Sequence, residues 1–425
     1  MPSEDHNVPH NEASDARFAG RYTGADRAAG AILGLAIGDA AGWPARQHRS
    51  HRLPAWTRRL RRELDVFAET QDVTSLPVPF ALNQDPEPLR FGPSDDAEWS
   101  AWTLTWLLRL GAADQQADAP TWSREQVHSI WLDAVETDTV PRGRISVATA
   151  ADSLRKGVRP PRSGYDNPHH FDDAAAIRAV AIGSMLDSPD LAADVAEWDA
   201  EVTNAGDGLY AARAIARAIA SSRLLSVTTD ERATPAEDEG SEGRIRSMVW
   251  RASATTSSSE EEPLGGEGNL PSLPAQVERG GALHENLLRE LPENTLIGRT
   301  TRAALDAVAG TASPAEAVPL LDDVVDRVYS YGTAAAQTVA VASAMAVVAV
   351  RAGAPSIDAV TAAACLPSLA DSAPALTGAL VGAAHGASSF PDSWVRRCRV
   401  LVGCCAPALA GVDLLELMKG NMGEQ

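Results

Sequence analysis

Alanine dominates this chain and recurs through long segments almost free of β-branched runs, such as Ala373-Pro374-Ala375-Leu376-Thr377-Gly378-Ala379-Leu380-Val381-Gly382-Ala383. Small side chains that lose little rotamer freedom favour helix over strand, so the fold class expected is all-α. A length of 425 residues allows one large domain or two ordinary ones.

Charge narrows the partners. The formal net charge is −20, and Lys156 and Lys419 are the only lysines. A nucleic-acid polymer needs a concentrated basic surface, and the one arginine cluster, Arg58, Arg59, Arg61 and Arg62, has acidic neighbours and reads as a solvated helix face. No partner of that kind is expected. Met1-Pro2-Ser3-Glu4-Asp5 is too acidic for a signal peptide, and no stretch is apolar and uncharged enough to span a bilayer; Ala334–Val350 comes closest and reads as a core helix. Cys365, Cys398, Cys404 and Cys405 lack metal-ligand spacing and read as core thiols of a cytoplasmic protein.

Residues 1–25 are polar and aperiodic, a disordered tail by composition. Asp26 is placed to cap a first helix with Ala29, Ile32, Leu33, Ala36 and Ile37 on one stripe, ended by Gly38. Leu53, Trp56, Leu60, Leu64 and Phe67 mark a second helix, and a proline-rich loop follows over 74–90. Trp99, Trp102, Trp106 and Leu110 line the next helix, as core or as a ligand-pocket wall. Further helices are expected near 123–137, 173–188, 191–203, 207–224, 284–291, 299–309, 314–329, 334–352, 356–366, 372–387 and 407–418. The Ser/Thr/Glu- and Gly-rich stretch 226–282 reads as a disordered insertion within one helical domain spanning 26–425.

Two acidic helix starts carry the chemistry. Pro93-Ser94-Asp95-Asp96-Ala97-Glu98 delivers two adjacent carboxylates and a hydroxyl, and Asp371-Ser372 opens a late helix. Both suit a hard cation. Each also has a structural reading, a capping box for Asp95 with Glu98 and a helix cap for Asp371-Ser372.

Gly34-Leu35-Ala36-Ile37-Gly38-Asp39-Ala40-Ala41-Gly42, then Ser94-Asp95-Asp96, then Ala370-Asp371-Ser372 before the small-residue run, resembles the ADP-ribosylglycohydrolase family in order and context. Ala176-Ile177-Arg178-Ala179-Val180-Ala181-Ile182-Gly183, Val202-Thr203-Asn204 and Phe390-Pro391-Asp392-Ser393-Trp394 extend the likeness. The resemblance implies an orthogonal helical bundle with a cleft that binds ADP-ribose through two magnesium ions, held by a Thr-Asp-Asp triplet and a late Asp-x-Asp-Thr. Carried over, the metal ligands fall on Ser94, Asp95, Asp96, Asp371 and Ser372; the first late carboxylate is Leu369, which leaves enough oxygens for one Mg²⁺ rather than two. Asp39, Trp43, Arg178, Asn204, Asp207 and Gly378 are expected around the nucleotide. Asp39 reads as fixing a glycine turn or standing behind the metal ligands rather than touching metal, and Arg178 equally as a buried ion-pair partner or a phosphate ligand.

The glutamate that relatives often carry after the glycine motif is absent, with Trp43-Pro44-Ala45-Arg46 in its place. Asp95, Asp96 and Asp173, then Glu98, are the candidate bases for hydrolysis of a ribosyl bond through an oxocarbenium-like transition state. The expectation is a magnesium-dependent hydrolase acting on a small-molecule or ADP-ribosylated substrate; no oligomeric state is implied. The alternative is a catalytically silent relative that binds an ADP-ribose-like nucleotide or a protein partner. A third reading is a structural helical scaffold.

Overall fold

The computed structural model describes residues 12–42, 92–114, 122–224, 273–325, 333–366 and 369–420. Sixteen α-helices form among them: α1 Glu12–Gly42, α2 Asp95–Asp114, α3 Arg124–Glu136, α4 Ile145–Arg155, α5 Arg162–Tyr165, α6 Ala174–Met185, α7 Pro189–Thr203, α8 Asp207–Leu224, α9 Leu273–Arg289, α10 Leu296–Ala307, α11 Pro314–Val324, α12 Ala335–Ala352, α13 Ser356–Ala364, α14 Ala373–His385, α15 Asp392–Cys398 and α16 Leu414–Met418. There is no strand among the described residues, only isolated bridges joining Asp172 to Ala334 and Val400 to Asp413. The fold is all-α, as composition implies.

Helices that are apolar all round belong in the centre of a large domain. Here those are α6, α12 and α14, buried from Ala174 to Ser184, Ala335 to Val350 and Ala373 to Ala384. α12 is also the one described helix long and apolar enough to cross a membrane, and 83% of it is buried inside the fold. Against this centre lie α1 along α14, α8 across α6 and α7, and α9 and α10 across α12.

The α1–α14 seam shows how sequence sets packing. A Cβ on Gly30, Gly34, Gly38 or Gly42 would collide with the backbone carbonyls of Gly382, Gly378, Pro374 and Ala370 in turn. Glycine every fourth residue gives α1 a bare stripe, and the two helices run antiparallel nearly backbone to backbone. The glycine motif is therefore helix rather than a turn: α1 passes through Gly38 to Gly42, and it begins at Glu12, upstream of Asp26 and inside the expected tail.

Most expected helices are present with ends shifted by a few residues. Three differ. The stretch 407–418 holds a short 3₁₀ turn and α16, while α4, α5 and α15 were not anticipated. None of these three has a side chain capping its start, so the usual N-terminal signal is missing from the sequence. The expected insertion lies outside the described residues except for its end, where 273–282 belong to α9 rather than to a disordered segment. The expected helix at 53–67 lies outside them entirely. Cys398 and Cys405 are buried, Cys365 and Cys404 half-buried, and all four are free thiols.

Candidate active site

Four helix starts converge on one point. Asp95 and Asp96 open α2, Asp173 immediately precedes α6, Asp371-Ser372 precedes α14, and Arg144 immediately precedes α4. The exposed N–H groups and dipole of a helix N-terminus favour carboxylates, so placing acids at these starts costs little locally.

The first start is held by α1. The Asp39 carboxylate accepts from the backbone N–H of Ser94 at 2.6 Å and of Ala97 at 3.1 Å, and from the Ser94 hydroxyl. Asp39 thus caps α2 from another helix, a structural role. Gly92, at φ 71, turns the chain into Pro93 just upstream. Glu98 makes no capping box with Asp95; its two oxygens accept from the backbone N–H groups of Cys404, Cys405 and Ala406 at 2.6, 2.7 and 2.8 Å. Its carboxylate ties α2 to the chain before α16 and is spent on that loop, a structural rather than a basic role. The Ser372 side chain makes no cap hydrogen bond either.

At the meeting point lies a guanidinium. Arg144 is 3% exposed and pairs with all four carboxylates: Asp96 at closest approach, Asp173 at 3.2 Å, Asp95 at 3.4 Å and Asp371 at 3.4 Å. It also donates to the Ser372 hydroxyl at 2.7 Å. Gly143, at φ 118, lets the chain pass close to Asp95, where a Cβ would sit 3.5 Å from the Cβ atoms of Asp95 and Cys405. The same loop is pinned when the Arg142 N–H donates to the Cys405 carbonyl at 2.9 Å.

Four carboxylates gather around the one Arg144 guanidinium. Burial pushes the Asp96 carboxyl up to about 8, with Asp95, Asp39 and Asp173 acting in the same direction and Arg144 against it. The surrounding acids hold the Arg144 guanidinium charged despite its burial. Asp96 Oδ2 is buried with no hydrogen-bond partner among the described residues, as suits a carboxyl that stays protonated near neutral pH.

A magnesium ion needs oxygens at about 2.0–2.1 Å in an octahedron. In this arrangement the oxygens that would supply it converge on nitrogen atoms instead. Ser94 is committed to Asp39 and Asp95, and Leu369 is fully buried in the core. The expected ligands Asp95, Asp96, Asp371 and Ser372 are brought together, joined by Asp173, but as arranged they do not fit a divalent ion.

The nucleotide-site expectations disperse. Arg178 is fully buried, its Nε 2.6 Å from Asp199 Oδ2 and its Nη2 2.8 Å from the Thr203 hydroxyl, with Trp131 and Trp99 at 5.0 and 5.8 Å; it is an ion-pair partner rather than a phosphate ligand. Trp99 and Trp102 of α2 pack beside that pair, Trp99 stacking on Trp131 and Trp102 meeting both edge-on, and Trp106 is buried in the core. Asn204 donates to the carbonyls of His170 and Asp172 and to Asp172 Oδ1, and accepts from Thr203. Asp207 accepts from the Ile297 N–H at the start of α10. Gly378 is used up in the α1 seam. Trp43 and Arg46 lie outside the described residues.

Arg144 is the functional residue that sequence reasoning missed. It sits in Pro141-Arg142-Gly143-Arg144, a polar connection with no spacing to the acids, and the only hint is a glycine beside an arginine before an uncapped helix.

No curated protein matches the chain. A solved structure described as an "ADP-ribosylglycohydrolase-related protein complex" is 16% identical, with 94% of this chain and 100% of that one covered at a TM-score of 0.47. The model of the family described as ADP-ribosylglycohydrolase, by contrast, matches residues 21–423, nearly the whole chain, and the protein belongs to that family.

Proposed function

We propose that this protein is a catalytically silent ADP-ribosylglycohydrolase relative, one that does not carry out metal-assisted cleavage of a ribosyl bond and that keeps the fold to bind an ADP-ribose-like nucleotide. One observation carries the silent half of this reading: the Arg144 side chain pairs with Asp95, Asp96, Asp173 and Asp371 at once. Glycosidic hydrolysis needs an oriented sugar and a base that delivers water. Each candidate base is already engaged, Asp95, Asp96 and Asp173 by the guanidinium and Glu98 by three backbone N–H groups. Leu369 supports the same conclusion, since a hydrocarbon cannot ligate a cation. Family membership supports the nucleotide half. A cytoplasmic location agrees with free, half-buried to buried thiols.

The test offers the protein ADP-ribosylated arginine, serine and nucleic acid, with and without Mg²⁺, and titrates it with ADP-ribose by calorimetry. The expected result is no release of ADP-ribose from any substrate, and binding of ADP-ribose that does not depend on Mg²⁺. Magnesium-stimulated release would restore the hydrolase reading; absence of any ADP-ribose binding would leave the scaffold reading in its place.

A further inference from the structure

We propose that Cys404, Cys405 and Glu98 form a binding site for one thiophilic divalent ion of the zinc class, apart from the carboxylates around Arg144 and independent of the nucleotide reading above.

Successive side chains of an extended segment point to opposite sides, so neighbouring cysteines do not ordinarily share a ligand. Here the chain bends at both residues, just after Gly403 at φ 77. The two sulfurs and an oxygen of the Glu98 carboxylate consequently all lie within 4.8 Å of one another. A zinc tetrahedron with Zn–S of about 2.3 Å and Zn–O of about 2.0–2.2 Å has edges of roughly 3.6–3.8 Å, so the three ligand atoms need close by little more than about 1 Å. The spacing along the chain conceals this, because Glu98 reaches the pair from α2, 306 residues before Cys404.

Donor chemistry selects the ion. Two sulfurs with one oxygen do not suit a hard cation such as Mg²⁺, and they match the mixed sets of three protein ligands that hold zinc with one position left for water. The carboxylate is oriented in advance: the N–H groups of Cys404, Cys405 and Ala406 take three of its roughly four lone-pair sites and leave one for a metal. Cys405 is 2% exposed and Cys404 is half-buried, so an ion enters from the Cys404 side. Burial holds the Cys405 thiol well above its ordinary range, and it is protonated in the metal-free protein. Binding therefore breaks two S–H bonds, forms two metal–sulfur bonds and passes two protons to solvent, with no change of oxidation state. The ion ties α2 to the Cys404–Ala406 loop, the same loop whose Cys405 carbonyl accepts the Arg142 N–H.

The experiment titrates the fully reduced, metal-free protein with Co²⁺ and then Zn²⁺ in excess Mg²⁺, and compares wild type with Cys404→Ser and Cys405→Ala. Wild type should take up one Co²⁺ per chain, with thiolate-to-cobalt charge-transfer absorption and the intense visible bands of tetrahedral cobalt, all lost when Zn²⁺ displaces it. Two protons should appear per ion in weak buffer, and bound Zn²⁺ should slow labelling of Cys404 by a thiol reagent. Each variant should lose more than the about 10–100-fold in affinity that a change outside the ligand shell costs. Cys404→Ser, at the half-buried position, decides the matter if Cys405→Ala fails to fold. Absence of saturable Co²⁺ uptake, uptake without a charge-transfer band, or a loss of affinity in Cys404→Ser no larger than that range overturns the proposal.

Discussion

Two buried arginines in this protein sit in opposite kinds of acid environment. Arg178 meets one carboxylate, Asp199, whose other oxygen accepts from the Trp131 indole at 2.9 Å, and the whole unit is packed between tryptophans. Arg144 meets four carboxylates, one of them held towards its protonated form by burial. The first is a balanced pair whose purpose ends with the fold. The second is a cluster of carboxylates that four separate helix starts gather around one arginine. Buried arginines are thus read by the number of their partners more than by their burial.

The largest expected effect breaks the balanced pair. Asp199→Ala should cost about 3–5 kcal/mol in urea denaturation at neutral pH, because it strands the Arg178 guanidinium in the core. Adding Mg²⁺ should recover none of it. A loss below about 1 kcal/mol would mean that the Arg178 pocket relaxes or admits water, and the two arginines would no longer differ in kind.

A smaller effect is expected at Glu98, a buried acid whose partners are three N–H groups and no cation. Glu98→Gln replaces one accepting oxygen with a donor that faces backbone donors, and should cost about 1–3 kcal/mol. The loop at Cys404–Ala406 should loosen, so labelling of Cys404 by a thiol reagent should accelerate. Unchanged stability with unchanged labelling would show that the loop is held elsewhere.

How much of this was legible in the sequence depends on whether a signal is local. The helices at 124–136, 189–203 and 314–324 start on serine caps, Ser123, Ser188 and Ser313, and are found within a few residues of where they are expected. The family motifs, read in order, located three of the helix starts that meet at the cluster. The glycine motif misled because glycine is a helix breaker by propensity, whereas here tertiary contact overrides propensity: only a bare stripe lets α1 reach the Gly378 and Gly382 backbone. Arg178, Asn204 and Asp207 misled because polarity in a motif looks like ligand binding until each partner is seen to be internal. Arg144 could not be read at all. Its meaning lies in four acids up to 227 residues away, and nothing local to Gly143-Arg144 encodes that distance.

The remaining expected effect concerns pH, and it sharpens the comparison by asking whether the Arg144 cluster carries a protonated acid. Asp96 is raised from an ordinary 3.8 to about 8, chiefly by burial, with Asp95, Asp39 and Asp173 reinforcing it and Arg144 opposing it. For a carboxyl raised on folding, the folded state binds the proton more tightly than the unfolded chain. Its stabilising contribution is full below about pH 4 and is lost as pH rises towards 8. His385 acts in the opposite sense, since burial lowers it from 6.5 to about 4, so that its contribution is lost as pH falls through that range. Total stability therefore conceals the Asp96 titration, and the informative quantity is a difference between two proteins that share His385. Asp96→Asn fixes a neutral group at the position. At pH 5 it should change stability by no more than about 1 kcal/mol, because an amide replaces a carboxyl already protonated. As pH rises to 8 the variant should gain on wild type by at most about 1.4 kcal/mol per pH unit, the slope of a single proton. Parallel curves for the two proteins over pH 5–8 would mean that Asp96 is ionised throughout, and that Arg144 alone balances it as tightly as Asp199 balances Arg178.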